Sequence, residues 1–182
     1  MSDEQAPALS VKDLVKDYKG GVRAVDGISF QVEPGEVFAF LGPNGAGKST
    51  TIRIIATLLR PTAGSVSVFG HDVMKEPDAV RSAVGYVPQE IALDRYLSGR
   101  QHLELSARLY GIPKAEANER IAKVLELVEL SDRADDGIKK YSGGMKKRLD
   151  IACGLLHRPR LLILDEPTLG LDIQTRYKVW DF

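Results

Sequence analysis

Apolar and polar positions alternate with a period of two in the first part of the chain. The segments LSVKDLVKDY and AVDGISFQV therefore predict two strands, joined by a turn at the double glycine of residues 20–21. One face of the second strand is predicted to be buried, through Ile28, Phe30 and Val32.

Later apolar runs are short and continuous, which is typical of parallel strands that are buried on both faces. The run EVFAFLG predicts such a strand, and a helix is expected after it, from about residue 49 to residue 59. Two more short strands are predicted by SVSVFG and VGYVPQ, and PRLLILD predicts a second fully apolar one.

Helical spacing dominates the middle of the chain. Ser98 and Gln101 have the spacing of a capping box, and Pro113 interrupts the pattern. In AEANERIAKVLELVEL the apolar residues recur every three or four positions. They predict one apolar helix face, formed by Ala117, Ile121, Val124, Leu125 and Val128.

Two more helices are expected, from about Gly143 to His157 and from near Gln174. The order of strands and helices predicts an α/β fold with a mainly parallel sheet, an antiparallel N-terminal β part and a helical insertion near residues 95–140. The length of 182 residues, 43% of them hydrophobic, suits one globular domain.

The charge balance argues against a domain that binds polyanions through its overall charge, because 25 Lys and Arg face 25 Asp and Glu. Apolar runs such as VFAFL fall far short of the ~20 residues that a membrane-spanning helix needs. The acidic, polar start MSDEQAPALS is unlike a targeting peptide. We expect a soluble, cytoplasmic polypeptide that reaches a membrane only through a partner.

Cys153 is the only cysteine, which excludes an intrachain disulfide and fits a reducing compartment. It falls in an apolar helical stripe with Leu149, Ala152 and Leu156. This position favours a small core side chain over a reactive thiol.

Residues 42–50, GPNGAGKST, match the pattern G-x-x-x-x-G-K-[ST] of a phosphate-binding loop between a strand and a helix. Glycines let such a loop point successive N–H groups at phosphate oxygens. Lys48 would place a cation on the β- and γ-phosphates, Ser49 would ligate magnesium and Thr50 would add an α-phosphate contact. A glycine turn with a chance lysine is the alternative, which the strand–loop–helix context disfavours. The predicted nucleotide-binding residues here are Gly42, Pro43, Asn44, Gly45, Ala46, Gly47, Lys48, Ser49 and Thr50.

Two carboxylates, Asp165 and Glu166, follow the apolar run LLIL. Ligands gather at the carboxyl ends of parallel strands, so Asp165 would face a metal ion there. Glu166 can accept a proton from an attacking water. Adjacent acids also occur in solvated turns, but a phosphate loop in the same chain favours the catalytic interpretation.

A second anion site is indicated by KKYSGGMKKRLDIACG, where two glycines stand directly before a basic helix. Backbone N–H groups at a helix start attract anions. Ser142 is also a good N-cap, so an ordinary capped helix is the alternative. Because the phosphate loop alone is already predicted to bind the phosphates of a nucleotide, the identity of the anion at this second site is an open question.

The motifs and their order resemble those of the ABC-type ATPases. YSGGM at residues 141–145, the basic helix after it and then LLILDEPTLGLD are similar to the signature motif and the segment that follows it in that family. Gln89 resembles the Q-loop, Asp172 the D-loop, and Tyr18 lies where an adenine-stacking aromatic is found.

The resemblance implies an answer for the second anion site. In that family two domains pair head to tail, and the signature of one closes on the γ-phosphate of ATP held by the other. Ser142, Gly143 and Gly144 would then complete the site of a second copy of this chain. It also implies a transmembrane permease as the other partner and a place on the cytoplasmic face of the membrane.

The resemblance further implies a P-loop NTPase fold and ATP hydrolysis with Mg²⁺ as cofactor. The metal ion would be held by Ser49, Gln89 and Asp165. The expected catalytic residues are Glu166, Lys48 and Gln89. The whole chain, residues 1–182, would form one nucleotide-binding domain with a helical subdomain at residues 95–140.

Two departures from the family pattern stand out. The common signature begins with leucine and ends with glutamine, where this chain has Tyr141 and Met145. YSGGM together with KKRLDIACGLLHRP resembles the ATP-binding subunits of drug-efflux systems of the daunorubicin-resistance type, which have a separate permease. The second departure is that no histidine follows Asp165 where the family has its switch histidine.

We therefore expect the 182-residue chain to be an incomplete domain, lacking its last strands, with weak ATP turnover. His157 lies upstream of Asp165 and is expected to act at the C-terminus of its helix, where a cation is favourable. A nucleotide-binding module with little turnover is thus one alternative.

A soluble ABC ATPase acting on ribosomes or DNA is another alternative. DNA-repair members carry long coiled-coil or zinc inserts, and this chain has neither heptads nor cysteine pairs. Ribosomal members carry two cassettes and basic linkers, which a neutral chain lacks. No nucleic acid partner is therefore expected.

Overall fold

The computed structural model describes residues 6–166, together with Ile173 and Tyr177. The chain divides into two compact units, Met1–Val84 and Gly85–Phe182. Asp172 and the helix predicted from near Gln174 lie outside the described residues. Among the described residues, none of the helices combines the length and the apolar character that crossing a bilayer requires.

A four-stranded antiparallel sheet forms the framework of the first unit, in the order β2-β1-β3-β4. Its strands are β1 (Leu9–Asp17), β2 (Arg23–Val32), β3 (Ala63–Val68) and β4 (His71–Asp72). In the centre, Val11 of β1 pairs with Phe30 of β2 on one side and with Val66 of β3 on the other. The predicted antiparallel N-terminal part is confirmed.

The predicted turn between β1 and β2 is present. Gly20 and Gly21 have φ angles of 98° and 81°, a region that glycine enters without steric cost. On the predicted buried face of β2, Val32 is buried, whereas Ile28 and Phe30 are half-buried. This face is therefore covered at one end only.

Two helices complete the first unit, α1 (Lys48–Ile55) and α2 (Pro77–Ala83). α1 packs on β2 and β3, and α2 packs on β3 and β4. α1 ends four residues before the predicted boundary, and Thr57 at a φ of 61° already lies in the left-handed region. The core residues include Val11, Leu14, Ile54, Val66, Val68 and Val80.

The run EVFAFLG is not a strand in the structure, and this prediction is wrong. Val37 is 98% exposed and Leu41 is 86% exposed, and no described strand pairs with the run. An extended segment becomes a strand only when a neighbour takes up its N–H and C=O groups, which apolar character cannot supply. Phe38 and Phe40 instead stack on Phe30, with ring centroids 5.3 and 5.4 Å away.

The second unit contains the parallel sheet, with two described strands, β5 (Val84–Val87) and β6 (Leu161–Leu164). Beyond β6, the Asp165 N–H donates to the Val87 carbonyl over 3.0 Å and extends the pairing. The strands predicted from VGYVPQ and PRLLILD are confirmed, although β6 is half-buried rather than fully buried.

Three helices that pack on one another follow in this unit: α3 (Gly99–Leu109), α4 (Lys114–Leu127) and α5 (Gly143–Leu155), with 3₁₀ turns at Ser131–Arg133 and Ile138–Lys140. The predicted capping box starts α3. The Ser98 hydroxyl accepts from the Gln101 N–H over 3.2 Å, and the Gln101 side chain accepts from the Ser98 N–H over 2.9 Å. α4 follows directly on Pro113, and all five residues of its predicted apolar face are buried.

Two glycines bring α5 into backbone contact with β5. A Cβ on Gly85 would lie 2.3 Å from the Gly154 carbonyl oxygen, and a Cβ on Gly154 would lie 2.8 Å from Val87 Cγ2. No other residue type fits such an approach. The helix that begins with the SGG sequence is thereby fixed against the strand that leads to Gln89.

Candidate functional site

Residues 42–50, the phosphate loop, lead directly into α1. Gly45 and Gly47 have φ angles of 84° and 83°, which bulkier residues rarely adopt. A Cβ on Gly47 would lie 2.2 Å from the Ala24 carbonyl oxygen, so this position admits only glycine. The loop thus has the conformational freedom and the close backbone approach that a phosphate cradle requires.

Lys48 is held over the phosphate loop. Its Nζ donates to the carbonyls of Gly42 and Pro43 over 2.7 and 2.9 Å. Ser49 and Thr50 occupy the first turn of α1, where N–H groups and the helix dipole favour an anion. Pro43, Asn44, Gly45 and Ala46 are exposed to solvent. The cation and the helix start therefore lie together at the loop.

The structure places Tyr18 beside Thr50 at the end of the phosphate loop. Its hydroxyl lies 3.3 Å from Thr50 Oγ1, and 40% of the residue is exposed. The Lys16 Nζ lies 5.5 Å from the centre of the Tyr18 ring. An aromatic ring with exposed surface at this place is available for stacking on a base.

In the second unit, Asp165 and Gln89 follow the carboxyl ends of the paired strands β6 and β5. Asp165 is buried, whereas Gln89 and Glu166 are exposed. Glu166 has a φ of 48°, a conformation that costs a non-glycine residue free energy and is frequent at functional sites. Two of the predicted metal ligands therefore lie at one edge of this sheet.

Each of the three predicted magnesium ligands carries an oxygen donor. Mg²⁺ prefers oxygen ligands and is commonly held by one or two carboxylates together with phosphates. Ser49, Gln89 and Asp165 offer a hydroxyl, an amide oxygen and a carboxylate. Asp165 is only 5% exposed, and a carboxylate buried to this degree is favoured by a nearby cation.

The predicted signature segment starts α5. The Ser142 hydroxyl caps the helix by accepting from the Met145 N–H over 3.2 Å. Ser142 and Gly143 are exposed, and Gly144 is buried. A Cβ on Gly143 would meet no atom of the described residues within 4 Å, so the start of α5 is open in this part of the structure. The predicted D-loop residue, Asp172, lies outside the described residues.

The departure at Tyr141 has a structural explanation that the sequence did not reveal. Tyr141 is buried, and its hydroxyl donates to the Arg133 carbonyl over 2.7 Å. A Cβ on Gly99 would lie 2.4 Å from that hydroxyl oxygen. The tyrosine therefore fills space that the glycine at the start of α3 leaves free, and burial raises its pKa.

A buried charged pair on α5 was also missed by sequence reasoning. Lys147 is 3% exposed and Asp150 is 7% exposed, and Lys147 Nζ lies 3.8 Å from Asp150 Oδ2. Burial raises the pKa of Asp150 to about 6, against the attraction of Lys147 and His102. The available signal was weak: two opposite charges three positions apart within an otherwise apolar stripe.

Two residues with potential chemistry are packing residues in the structure. Burial raises the pKa of Cys153 to about 12, so its thiol stays protonated and unreactive, as predicted. His157 lies beyond the end of α5 at Leu155, and its ring stacks on Tyr110 with the centroids 4.0 Å apart. This stack, rather than the helix terminus alone, accounts for the histidine.

Sequence comparison identifies relatives of this chain. The family model described as "ABC transporter" matches residues 25–169. The chain is 49% identical over 181 residues to the daunorubicin/doxorubicin resistance ATP-binding protein DrrA of Streptomyces peucetius, covering 100% of this chain and 54% of the relative. It is 46% identical over 168 residues to the linearmycin resistance ATP-binding protein LnrL of Bacillus subtilis, covering 92% and 54%. The chain thus spans about half the length of the curated relatives it matches.

Solved structures agree with this result. An ATP-binding subunit of an ABC transporter superposes with a TM-score of 0.83 at 36% identity, covering 96% of this chain and 72% of that one. A dimeric ATP-binding cassette in a post-hydrolysis state, bound to ADP and Pi, gives 0.84 at 28% identity, covering 95% and 80%. The predicted α/β fold of the P-loop NTPases is therefore confirmed, and the chain belongs to the ABC transporter family.

Proposed function

We propose that this chain binds ATP with Mg²⁺ and hydrolyses it to power an exporter of drugs or small molecules with a separate permease. The observation that carries the proposal is the phosphate loop, where Gly47 admits no side chain and Lys48 lies over the loop at the start of α1. The names of the relatives, which are resistance ATP-binding proteins, support the export role.

Nucleotide binding would use the first unit. The N–H groups of the phosphate loop and the Lys48 ammonium would hold the β- and γ-phosphates. Tyr18 would stack on the adenine, next to the α-phosphate contact of Thr50. When bound, Mg²⁺ neutralises developing phosphate charge, and Ser49 would contribute one of its oxygen ligands.

Hydrolysis would use the carboxyl edge of the parallel sheet. Asp165 and Gln89 would supply the remaining protein ligands of the metal ion. Glu166 would accept a proton from the attacking water, and the exposure of its carboxylate directly after Asp165 supports this role. Gln89 would respond to the state of the nucleotide at this edge.

The second anion site would act on a partner copy. Ser142, Gly143 and Gly144 would close on the γ-phosphate held by another copy, in a head-to-tail homodimer. Support comes from the exposed start of α5, whose N–H groups and dipole favour an anion. The dimeric cassette among the structural relatives also supports it.

The permease is the proposed membrane partner, and it would hold the chain on the cytoplasmic face. The outward side of α3 supports a protein contact, because Leu105 and Leu109 are exposed there, one turn apart. Within one nucleotide-binding domain over residues 1–182, residues 95–140 would form the helical subdomain that moves when the dimer closes.

Glu166→Gln in the intact transporter tests the hydrolytic role. We expect kcat for ATP hydrolysis to fall about 10²–10⁴-fold, equivalent to roughly 3–5 kcal/mol of barrier, because the general base is lost. ATP binding should stay nearly unchanged, because the phosphate loop is untouched. Glu126→Gln, on the exposed side of α4, is the matched control. Wild-type turnover in Glu166→Gln would show that Glu166 is not the base.

A further inference from the structure

The Q-loop, defined here as residues 88–91, is tied to the signature helix α5 by one buried cation. Lys147 Nζ donates to the Pro88 carbonyl oxygen over 2.7 Å, and Lys147 is 3% exposed. Pro88 directly precedes Gln89 and has no N–H of its own with which to anchor the loop. This hydrogen bond therefore restrains Pro88, and with it the position of the Gln89 backbone.

The ammonium of Lys147 is surrounded by oxygen atoms and charges that make its burial tolerable. Asp150 Oδ2 lies 3.8 Å away and accepts no hydrogen bond from the described residues. The negative charge of Asp165 also favours the ammonium form, while burial opposes it and lowers the pKa of Lys147. Lys147 thus donates to the Q-loop and lies close to a carboxylate on its own helix.

Packing alone does not account for this arrangement. Buried ion pairs often contribute little net stability, and apolar pairs of similar volume are commonly as stable or more stable. Lys147 lies on the face of α5 that also buries Ile151, one turn later, in a cluster with Val87. An apolar side chain there would fill the space but would leave the Pro88 carbonyl without this donor.

α5 connects Lys147 rigidly to Ser142 at the proposed second anion site. Ser142 caps the same helix, five positions before Lys147, and the close contact of Gly154 with Gly85 fixes the body of α5 on β5. A helix rises about 1.5 Å per residue, so Ser142 and Lys147 lie within roughly 8 Å of each other along the helix axis. A movement of the Q-loop would therefore be transmitted to the signature segment by the hydrogen bond from Lys147 to Pro88 and by less than two turns of α5.

From these contacts we propose that Lys147 is a positioning residue that clamps the Q-loop to the signature helix, with Asp150 as the counter-charge that keeps it in place. The clamp sets the position of Gln89 and links it to Ser142. This inference rests on the proposed function for its effect on hydrolysis, whereas its structural part concerns the Q-loop itself.

Hydrogen exchange of the full chain tests the structural part without requiring turnover. In Lys147→Met, exchange should accelerate in peptides that cover the Q-loop, because the Pro88 carbonyl loses its donor, while peptides from α4 should exchange as in the wild type. Lys146→Met removes the same charge from the neighbouring position and is the control. Unchanged Q-loop exchange in Lys147→Met, or equal acceleration throughout the second unit, would overturn the proposal.

A double variant separates positioning from stability. Lys147→Met combined with Asp150→Leu removes the buried charges as a pair, so the chain should fold even if the single variant does not. We expect thermal stability near that of the wild type together with a Q-loop that still exchanges fast. Wild-type exchange in this double variant would mean that the pair only fills space, and the clamp would be wrong.

Kinetics of the intact protein test the link to hydrolysis. In Lys147→Met, kcat should fall at least about tenfold, because hydrolysis depends on the alignment of Gln89. KM for ATP should change less than about twofold, because ATP binding depends on the phosphate loop. Lys147→Arg, which keeps a donor and a charge, should recover part of kcat. A rise in KM with unchanged kcat would contradict a positioning role. Absence of hydrolysis in the wild type would instead refute the proposed function and leave the exchange test standing.

Discussion

Asp150 carries a carboxyl group into the interior of the second unit, where Lys147 from its own helix and His102 from α3 act on it. Its pKa of about 6 in the folded chain lies above the ordinary value of 3.8. Between these values the folded state binds a proton that the unfolded state has released. Folding stability contributed by this group is therefore fully present below pH 3.8 and is lost as the pH rises toward 6.

Asp150→Asn isolates this effect, because asparagine does not titrate. As the pH rises from about 4 to about 6, the free energy of unfolding of the wild type should fall relative to that of the variant by on the order of 2–3 kcal/mol. Urea unfolding of both proteins at several pH values measures the difference. Asp132→Asn, at an exposed position, should follow the wild type at every pH. Parallel curves for Asp150→Asn and the wild type would mean that Asp150 titrates normally.

At single residues, sequence reasoning succeeded where the requirement is local. The glycines of the phosphate loop are demanded by a short motif, and the positive φ of Gly45 and Gly47 agrees with it. Lys147 and Asp150 were missed because a charged residue within a helix is normally solvated, and only tertiary packing decides that both are buried. The burial of these two side chains therefore cannot be read from a single sequence.

At the scale of elements, the same distinction separates helices from strands. The apolar face of α4 was predicted fully, because helical periodicity and internal hydrogen bonds are properties of the segment itself. EVFAFLG failed as a strand, because strands depend on pairing partners elsewhere in the chain. A continuous apolar run indicates that a segment favours burial, but it does not indicate whether the segment pairs with another strand.

The contact between the start of α3 and the signature segment gives a prediction at this scale. Gly99→Ala should destabilise the chain by about 1–3 kcal/mol, because the new Cβ meets the Tyr141 hydroxyl. In a Tyr141→Leu background the same change should cost little, so the two positions should couple by about 1 kcal/mol or more. A thermal-unfolding double-mutant cycle measures this coupling.

Gly137→Ala is the matched control for that cycle, because a Cβ there meets no atom of the described residues within 4 Å. It should be nearly neutral in both backgrounds. Additive effects of Gly99→Ala and Tyr141→Leu would show that the tyrosine hydroxyl does not restrict the start of α3.

At the scale of the whole molecule, the proposed chemistry is divided between copies. A phosphate loop would serve its own nucleotide, while the SGG sequence of the same chain would serve the nucleotide of the partner. Gly143 is suited to a test of this division, because its open surroundings let a side chain be added without disturbing the described fold. In Gly143→Asp, a carboxylate would stand where the γ-phosphate should approach, and the two negative charges repel.

Mixing two inactive variants provides the last prediction. Lys48→Ala disables the phosphate loop and Gly143→Asp the signature, so each intact protein alone should hydrolyse ATP poorly. A mixed dimer pairs the intact loop of one copy with the intact signature of the other. Equal mixing should therefore restore roughly a quarter of wild-type activity, since about half of the dimers are mixed and each has one complete site.

A protein that carries both changes in one chain is the control. Mixed with Lys48→Ala, it offers no intact loop opposite an intact signature, so no activity should be restored. If mixed dimers form, as shown by differently tagged copies that co-purify, and the first mixture stays inactive, then the signature does not act on the partner's nucleotide.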